Sequence, residues 1–155
     1  MDRSPPEARA AYPRFRALPT RWKDNDVYGH VNNVVAYALF DTVVNGFLVE
    51  AGVLDIDGSP EIGLVVETGC RFFRPVSFPD TIHGGLRVAH LGRGSVRYEV
   101  GLFREEEDAA AAQGHFVHVY VQRDTRRAAD VPAGTRAALE PLRSRAFASG
   151  WPKGR

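Results

Sequence analysis

The sequence of 155 residues has little of several features that mark specialised classes of protein. It contains one cysteine, Cys70, which excludes an intrachain disulfide and any zinc site built from several cysteines. No apolar run approaches the roughly 20 residues of a membrane-spanning helix. Residues 1–14 also lack the apolar segment of a secretory signal. We therefore expect a cytoplasmic protein with no membrane association.

The sequence also lacks an excess of charge of either sign. Lysine and arginine number 20 against 19 aspartates and glutamates, for a net charge of +1. Nucleic-acid-binding domains usually carry a concentrated basic face, whereas the arginines here are spread along the chain. We expect no nucleic-acid partner. A hydrophobic fraction of 44% is instead typical of one soluble globular domain with a real core.

The most informative stretch is residues 21–47, RWKDNDVYGHVNNVVAYALFDTVVNGF. Gly29 allows the chain to reverse, and the side-chain oxygen of Asn32 or Asn33 can accept from the free amides of a first helical turn. The apolar residues that follow predict a helix buried on most sides. With Gly52 as its C-terminal cap, this helix is expected to be about 28 Å long at 1.5 Å per residue.

The other segments are typical of β-strands. A first strand is predicted before the helix, where Pro19 favours an edge position. Four strands and a short helix are predicted after it. The alternating apolar residues of 95–103 predict a half-buried strand, and Gly69 indicates a bulge or a close backbone approach within the strand of residues 62–78. The predicted strands are residues 15–23, 62–78, 81–91, 95–103 and 114–122, and the short helix is residues 132–142. This order predicts an α+β fold, in which a curved antiparallel sheet of about five strands wraps one long central helix.

The domain organisation follows from the same patterns. Residues 1–14 show no periodicity and contain three prolines, which is typical of a loosely held arm. Residues 15–145 form the single predicted domain. Residues 146–155 form a C-terminal tail, to which the sequence assigns no structure.

The segment DNDVYGHVNN, residues 24–33, followed by an apolar helix, resembles the signature of the hotdog-fold acyl-CoA thioesterases of the 4-hydroxybenzoyl-CoA thioesterase type. Their signature has the form D-x-D-x-x-G-H-V-N-N. The resemblance implies a hotdog fold and hydrolysis of an acyl- or aroyl-CoA to the carboxylic acid and free CoA. It also implies no metal or redox cofactor and a homodimer or homotetramer. Relatives carry an aromatic residue where this chain has Ala36, with Tyr37 beside it.

The resemblance assigns Asp26 as nucleophile or general base and the backbone N–H of Asn33 as oxyanion donor. A carboxylate on the turn before a helix suits this chemistry, because the free amides and the helix dipole can polarise a thioester carbonyl. The alternative is that the Asp26 carboxylate only accepts hydrogen bonds from the backbone amides of its own loop, as Asp commonly does in turns. Asp24 is the reserve candidate, and otherwise is expected to pair with Arg21 or Lys23.

Two further polar residues are candidates with alternatives. His30 is a possible acid or base because its ordinary pKa is near 6.5, or its ring holds the turn by hydrogen bonding. Glu67 lies in an apolar strand, where a carboxylate needs a partner. It would orient the attacking water, reach a second subunit, or pair with an arginine.

The substrate-binding candidates are an apolar set and a basic residue. Val34, Tyr37 and Phe72, with the adjacent Phe73, would line an acyl or aryl pocket. Arg74 is the candidate for binding CoA phosphates, although arginines on solvated strand edges explain the same pattern.

Other chemistries lack support in the sequence. His115 and His118 are three residues apart on a predicted strand and so face opposite sides, which excludes a shared metal. No G-x-S-x-G motif is present, and Cys70 has no neighbouring base. Two alternatives to a thioesterase remain: a hydratase or dehydratase on the same fold, and a non-catalytic acyl-CoA-binding protein.

Overall fold

In a computed structural model that describes residues 4–144, five antiparallel strands form one sheet in the order β1-β3-β4-β5-β2. Two α-helices, α1 (Asn33–Glu50) and α2 (Ala133–Leu139), complete the fold. The strands are β1 (Arg14–Pro19), β2 (Glu61–Phe72), β3 (Thr81–Leu91), β4 (Ser95–Arg104) and β5 (Ala112–Gln122). The predicted α+β arrangement of a curved sheet with a central helix is confirmed. Neither helix in the described residues is long and apolar enough to cross a membrane.

Both ends of α1 lie where the sequence places them. The side chain of Asn32 accepts a hydrogen bond from Val34 N–H at 2.9 Å and so caps the helix. Gly52 adopts a left-handed φ of 72°, a conformation that glycine tolerates and that ends the helix. The 18 residues of α1, Asn33–Glu50, make a helix about 27 Å long.

The main core lies between α1 and the inner face of the sheet. Phe40 and Val44 of α1 are fully enclosed, as are Tyr98 and Val100 of β4. On β4 the inward residues alternate as predicted, because side chains two apart share one face of a strand. Burial of this apolar surface is the main stabilisation of the fold.

The outer face of the sheet is covered as well, which corrects the prediction of a loosely held arm over residues 1–14. From residue 4 onward this segment packs on the sheet. Tyr12 is buried against Phe103, with ring centroids 5.8 Å apart, and Glu7 N–H donates to Gln113 Oε1 at 2.6 Å. A short 3₁₀-helix, Arg9–Ala11, lies between these contacts.

Because the arm covers them, polar residues of β3 and β4 are buried on the outer face. The carboxylate of Glu99 is completely buried and accepts from Arg87 Nε at 2.9 Å and Arg97 Nε at 3.1 Å. Arg87 also donates to Glu7 of the arm at 2.6 Å. The prediction that β4 is half-buried is therefore wrong, since both of its faces are enclosed.

Some predicted boundaries also change. β1 ends at Pro19 and is followed by a 3₁₀-helix, Trp22–Asp24, because Asp24 accepts from the backbone N–H of Arg21. β2 ends at Phe72 instead of residue 78, and its bulge lies between Val65 and Glu67, not at a glycine. The expected tail, residues 146–155, lies outside the described residues.

Candidate active site

A cavity of about 410 Å³ opens at the N-terminus of α1, between the helix and the sheet. Its polar lining consists of Asp26, His30, Asn33 and Arg74. Apolar residues of all the strands except β1, of α1, of the segment after β2 and of the turn before α1 form the rest of the wall. The cavity therefore combines a carboxylate, a helix N-terminus and an apolar interior.

The turn before α1 holds Asp26 through both its backbone and its side chain. Asp26 N–H donates to the carbonyl of His30 at 2.8 Å, and Gly29, with a φ of 79°, donates to the carbonyl of Asp26 at 3.0 Å. Asp26 Oδ1 accepts from Tyr28 N–H at 2.9 Å and from His30 N–H at 3.4 Å. Within residues 4–144, Oδ2 has no hydrogen-bond partner. One oxygen fixes the carboxylate, and the other is available to a ligand.

Asp24 has a different environment, although it is only two residues away. It is buried and accepts from Arg21 N–H at 2.8 Å and from the Arg21 guanidinium at 2.9 Å. Burial by itself raises the pKa of Asp24, but the hydrogen bonds from Arg21 outweigh it and hold the pKa below its ordinary value. Asp24 thus pairs with Arg21, one of the two expected partners, and its oxygens are occupied in fixing the turn.

Asn33 is the first residue of α1 and lines the cavity. The Asn32 side chain satisfies Val34 N–H, and no acceptor within the described chain meets the N–H of Asn33. The positive end of the helix dipole lies at the same place. A free amide donor and a free carboxylate oxygen thus line one cavity.

His30 lines this cavity beside Asp26, with an exposed side chain. One of the two roles open to His30 from the sequence is that its ring holds the turn. In the structure the backbone of His30 does so, through its carbonyl and its N–H. The ring nitrogens make no hydrogen bond to any part of the chain that the structure describes.

Of the substrate-binding candidates, Phe72, the adjacent Phe73 and Arg74 line the cavity. Arg74 Nη1 lies 3.2 Å from Glu107 Oε2, and its side chain is half exposed. Val34 and Tyr37 do not line the cavity. Val34 is 71% exposed, and Tyr37 packs edge-on against Phe40 with ring centroids 5.9 Å apart.

The helical period explains this correction. Asn33, Ala36 and Leu39 recur every three residues and share the face of α1 that lines the cavity. Val34 and Tyr37 are each one residue further on, which turns them about 100° away at 3.6 residues per turn. The sequence could have placed Ala36 in this cavity, because it lies three residues after Asn33 and therefore on the same face of the helix.

Glu67 also lies away from the cavity, on the outer side of the sheet. Its Oε1 is 3.2 Å from His115 Nε2, so within the described residues it pairs with a histidine, which was not among the alternatives considered from the sequence. Burial, and then the nearby charge of Arg97, lower the pKa of His115 to about 4, against the opposing effect of Glu67. His118 lies on the opposite, inner face against Tyr98. In the described part of the chain, no three His, Cys, Asp or Glu residues are grouped as metal ligands.

A second, wider groove of about 700 Å³ follows the C-terminal half of α1. Glu50, the one carboxylate among the lining residues in the described part of the chain, is ion-paired with Arg16 at 2.5 Å. Arg123 donates to the backbone carbonyls of Ser59 and Ile56. Because its charged groups are occupied in these contacts, this groove lacks the free catalytic groups of the first cavity.

Comparison with solved structures identifies proteins of the same fold. The PA5185 protein of Pseudomonas aeruginosa strain PAO1 is 52% identical, with a TM-score of 0.88 over 90% of this chain and 98% of that chain. The BH1999 gentisyl-coenzyme A thioesterase is 21% identical, with a TM-score of 0.71 over 81% of this chain and 99% of that one.

Slr0204 of Synechocystis, a 1,4-dihydroxy-2-naphthoyl-CoA thioesterase, is 16% identical, with a TM-score of 0.74 over 81% of this chain and 93% of that one. No curated protein matches the chain. The model of the Thioesterase-like superfamily matches residues 20–139, which include the Asp26 turn, α1 and all the strands after it. The chain therefore belongs to the Thioesterase-like superfamily.

Proposed function

We propose that the protein is an acyl-CoA thioesterase, which hydrolyses a CoA thioester to a carboxylic acid and free CoA. One observation carries the proposal: Asp26 Oδ2 and Asn33 N–H both lack a partner in residues 4–144, and both residues line one cavity. Membership of the Thioesterase-like superfamily supports a thioester substrate. Two proteins of the same fold are named as aroyl-CoA thioesterases.

The chemistry follows from these groups. Asp26 as general base takes a proton from water as the water oxygen attacks the thioester carbon. Asn33 N–H and the helix dipole stabilise the oxyanion that forms. The intermediate then expels the thiolate of CoA, which receives the proton from Asp26. If Asp26 is instead the nucleophile, Oδ2 displaces the thiolate to form a mixed anhydride, and water then hydrolyses that anhydride.

We also propose that the CoA moiety passes Arg74 at the mouth of the cavity. A guanidinium suits phosphate oxygens, and the half exposure of Arg74 leaves it accessible beside Glu107. Arg74→Ala is expected to raise KM for acyl-CoA with a smaller change in kcat. If KM is the same for wild type and Arg74→Ala, Arg74 has no part in CoA binding.

We infer that the working form is a homo-oligomer joined through β2. This strand is 12 residues long, lies at the edge of the sheet, and exposes Leu64, Val65 and Val66. Long apolar edge strands readily pair with another strand. Light scattering of wild type is expected to show at least a dimer, and Val66→Lys is expected to shift it towards monomer. A monomeric wild type would overturn this inference.

The test of the proposed function is release of CoA thiol from short, medium, long and aryl acyl-CoAs, with the Cys70 signal subtracted. Asp26→Asn keeps the size of the side chain and removes the base. Asp124→Asn makes the same change at an exposed position outside the cavity. We expect release by wild type and Asp124→Asn and a loss of orders of magnitude in Asp26→Asn. Near wild-type turnover in folded Asp26→Asn would overturn the role of Asp26.

One observation favours a second candidate, a hydratase or dehydratase of acyl thioesters. His30 shares the cavity with Asp26. Adding water across an alkene requires a base that takes a proton from the water and an acid that protonates the other alkene carbon. Loss of enoyl-CoA ultraviolet absorbance without release of thiol would favour this candidate. Tight binding of acyl-CoA with neither reaction would indicate the non-catalytic acyl-CoA-binding protein.

A further inference from the structure

We propose that the acyl group of the substrate occupies the inner end of the Asp26 cavity and must be free of hydroxyl groups there. We further propose that Ala36 and Ala112 set the size of the acyl group that fits. The proposal rests on the proposed thioesterase function. It names the substrate class as unsubstituted aliphatic or aromatic acyl-CoAs.

The inner end of the cavity is built from buried apolar side chains on two walls. Ala36 of α1 forms one wall. Ile82 of β3, Leu102 of β4 and Ala112 of β5 form the other wall. These three strands are neighbours in the sheet, and Leu102 and Ala112 are paired residues in the antiparallel ladder. The floor of the cavity is therefore one continuous apolar surface.

The polar groups lie at the opposite end. Asp26 and Arg74 are partly accessible and His30 is exposed, whereas the four inner residues are each at most 5% exposed. The reacting carbonyl must lie near Asp26 and Asn33 for attack to occur. An acyl group attached to that carbonyl can then extend only along the apolar interior.

A hydroxyl group at the inner end would find no partner. The side chains there carry no donor or acceptor. The backbone is also occupied, since Leu102 and Ala112 belong to the sheet ladder and the carbonyl of Leu102 accepts from Ala111 N–H at 2.7 Å. A hydroxyl group that loses its hydrogen bonds to water on burial and gains no other partner lowers the affinity by roughly 10-fold to 100-fold. The cavity thus selects against hydroxylated acyl groups.

Size is determined by the two smallest side chains of the interior. Ala36 and Ala112 lie on the helix wall and the sheet wall, so any larger residue at either position extends into the cavity. Interiors respond to changes of even one methylene, because packing leaves little free space. Both positions are therefore specificity-determining.

The first test compares matched substrate pairs, benzoyl-CoA with 4-hydroxybenzoyl-CoA and hexanoyl-CoA with 6-hydroxyhexanoyl-CoA. Wild type is expected to show kcat/KM lower by about 10-fold to 100-fold for the hydroxylated member of each pair. Equal or greater kcat/KM for the hydroxylated members would overturn the proposal and leave the thioesterase function standing.

The same pairs are titrated calorimetrically against Asp26→Asn, which separates binding from turnover. Tighter binding of the unsubstituted members is expected. If that preference holds but wild type hydrolyses none of the four, the proposed function fails while the assignment of the inner end stands. No binding preference would overturn the assignment.

The second test enlarges the wall. Ala36→Val adds two methyl groups inside the cavity, and Ala38→Val makes the same change on the same helix at an exposed position outside it. For hexanoyl-CoA relative to acetyl-CoA, Ala36→Val is expected to lower kcat/KM by about 10-fold or more, and Ala38→Val is expected to leave the ratio unchanged. Ala112→Val repeats the test from the sheet wall should Ala36→Val fail to fold. An unchanged ratio in the folded variant would overturn the size role.

Discussion

Asn25 Oδ1 accepts a hydrogen bond from the backbone N–H of Phe78 at 3.0 Å and thereby ties the Asp26 turn to the loop before β3. Two more bonds join the same segments: Ser77 Oγ donates to the carbonyl of Gly29 at 2.7 Å, and Val31 N–H donates to that of Val76 at 2.6 Å. The position of the candidate catalytic carboxylate therefore depends in part on residues that do not line the cavity, namely Asn25, Ser77 and Phe78.

The loop before β3 is itself anchored. Asp80 Oδ2 accepts from Ser77 N–H at 3.1 Å and from Arg104 Nε at 2.9 Å. These hydrogen bonds hold the pKa of Asp80 below its ordinary value, against the effect of burial, which by itself raises it. The Asp26 turn is thus connected to β4 through an ion pair.

The first prediction concerns Asn25 as a positioning residue. Asn25→Ala removes the acceptor and is expected to lower kcat about 10-fold to 100-fold with a smaller change in KM, since misplacing a catalytic group by about 1 Å has that effect. Asn25→Asp keeps an acceptor oxygen and should restore most of kcat. Steady-state kinetics of both variants are the measurement. Equal kcat in Asn25→Ala and wild type would exclude the positioning role.

The second prediction tests the amide donor itself. Asn33→Pro deletes the N–H at the first helical position, where the fixed φ of proline is tolerated and Asn32 already has the extended conformation that precedes proline. Turnover is expected to fall about 100-fold to 1,000-fold, the usual effect of removing one oxyanion donor. Asn33→Ala keeps the N–H and should retain most turnover. If both variants lose turnover equally, the side chain and not the amide matters.

The third prediction concerns His30. If the protein hydrolyses thioesters through Asp26, His30→Gln should keep thiol release within about 10-fold of wild type, because the ring holds no part of the turn. If the protein is a hydratase, the same variant should lose the enoyl-CoA reaction by a factor of about 100 or more. Running both assays on this one variant distinguishes the two functions.

The fourth prediction concerns the buried charges of the outer face. Glu99→Gln keeps the shape of the side chain but removes the carboxylate that Arg87 and Arg97 share, and it should reduce the free energy of unfolding by about 3 kcal/mol or more. Asp130→Asn, which breaks the exposed pair with Arg93, should cost less than about 1 kcal/mol. Urea unfolding provides both values, and similar small losses in the two variants would contradict the prediction.

The fifth prediction concerns pH. Burial lowers the pKa of both His115 and His118 in the folded state, that of His115 to about 4. The unfolded chain, with histidine pKa near 6.5, then binds protons that the folded state excludes, so stability is greatest above pH 6.5 and falls as the pH falls towards 4. Each histidine contributes at most about 1.4 kcal/mol per pH unit.

Urea unfolding at pH 7.5, 6.0 and 5.0 checks this dependence. His115→Gln should flatten it, because a residue that does not titrate replaces one of the two histidines. The range stops at pH 5 because Asp and Glu titrate below it. If the free energy of unfolding of wild type is constant over this range, the two rings are solvated. A free energy of unfolding that rises on acidification would contradict the predicted direction of the pH dependence.

Local features were readable from the sequence because they depend on near neighbours. Asn32 caps α1 by accepting from the N–H two residues further on, and Gly52 ends it through its own φ. The alternation of apolar residues along β4 identifies those that face the core. The DNDVYGHVNN segment likewise predicted a turn carboxylate beside a helix start, and that geometry is what the structure has. Whether Asp26 acts in catalysis stays a prediction for the kinetics.

Long-range features were decided by the tertiary structure. Ile82, Leu102 and Ala112 belong to different strands and share one cavity floor only because the order β3-β4-β5 and its register place them together. The sequence predicts a loose arm because the arm's partners on the outer face are distant in the sequence, such as Arg87, which donates to the carbonyl of Ala11 across 76 positions. Residue order alone established the helix, the turn and the strands. The shape and polarity of the cavity arise from contacts that exist only once those elements pack.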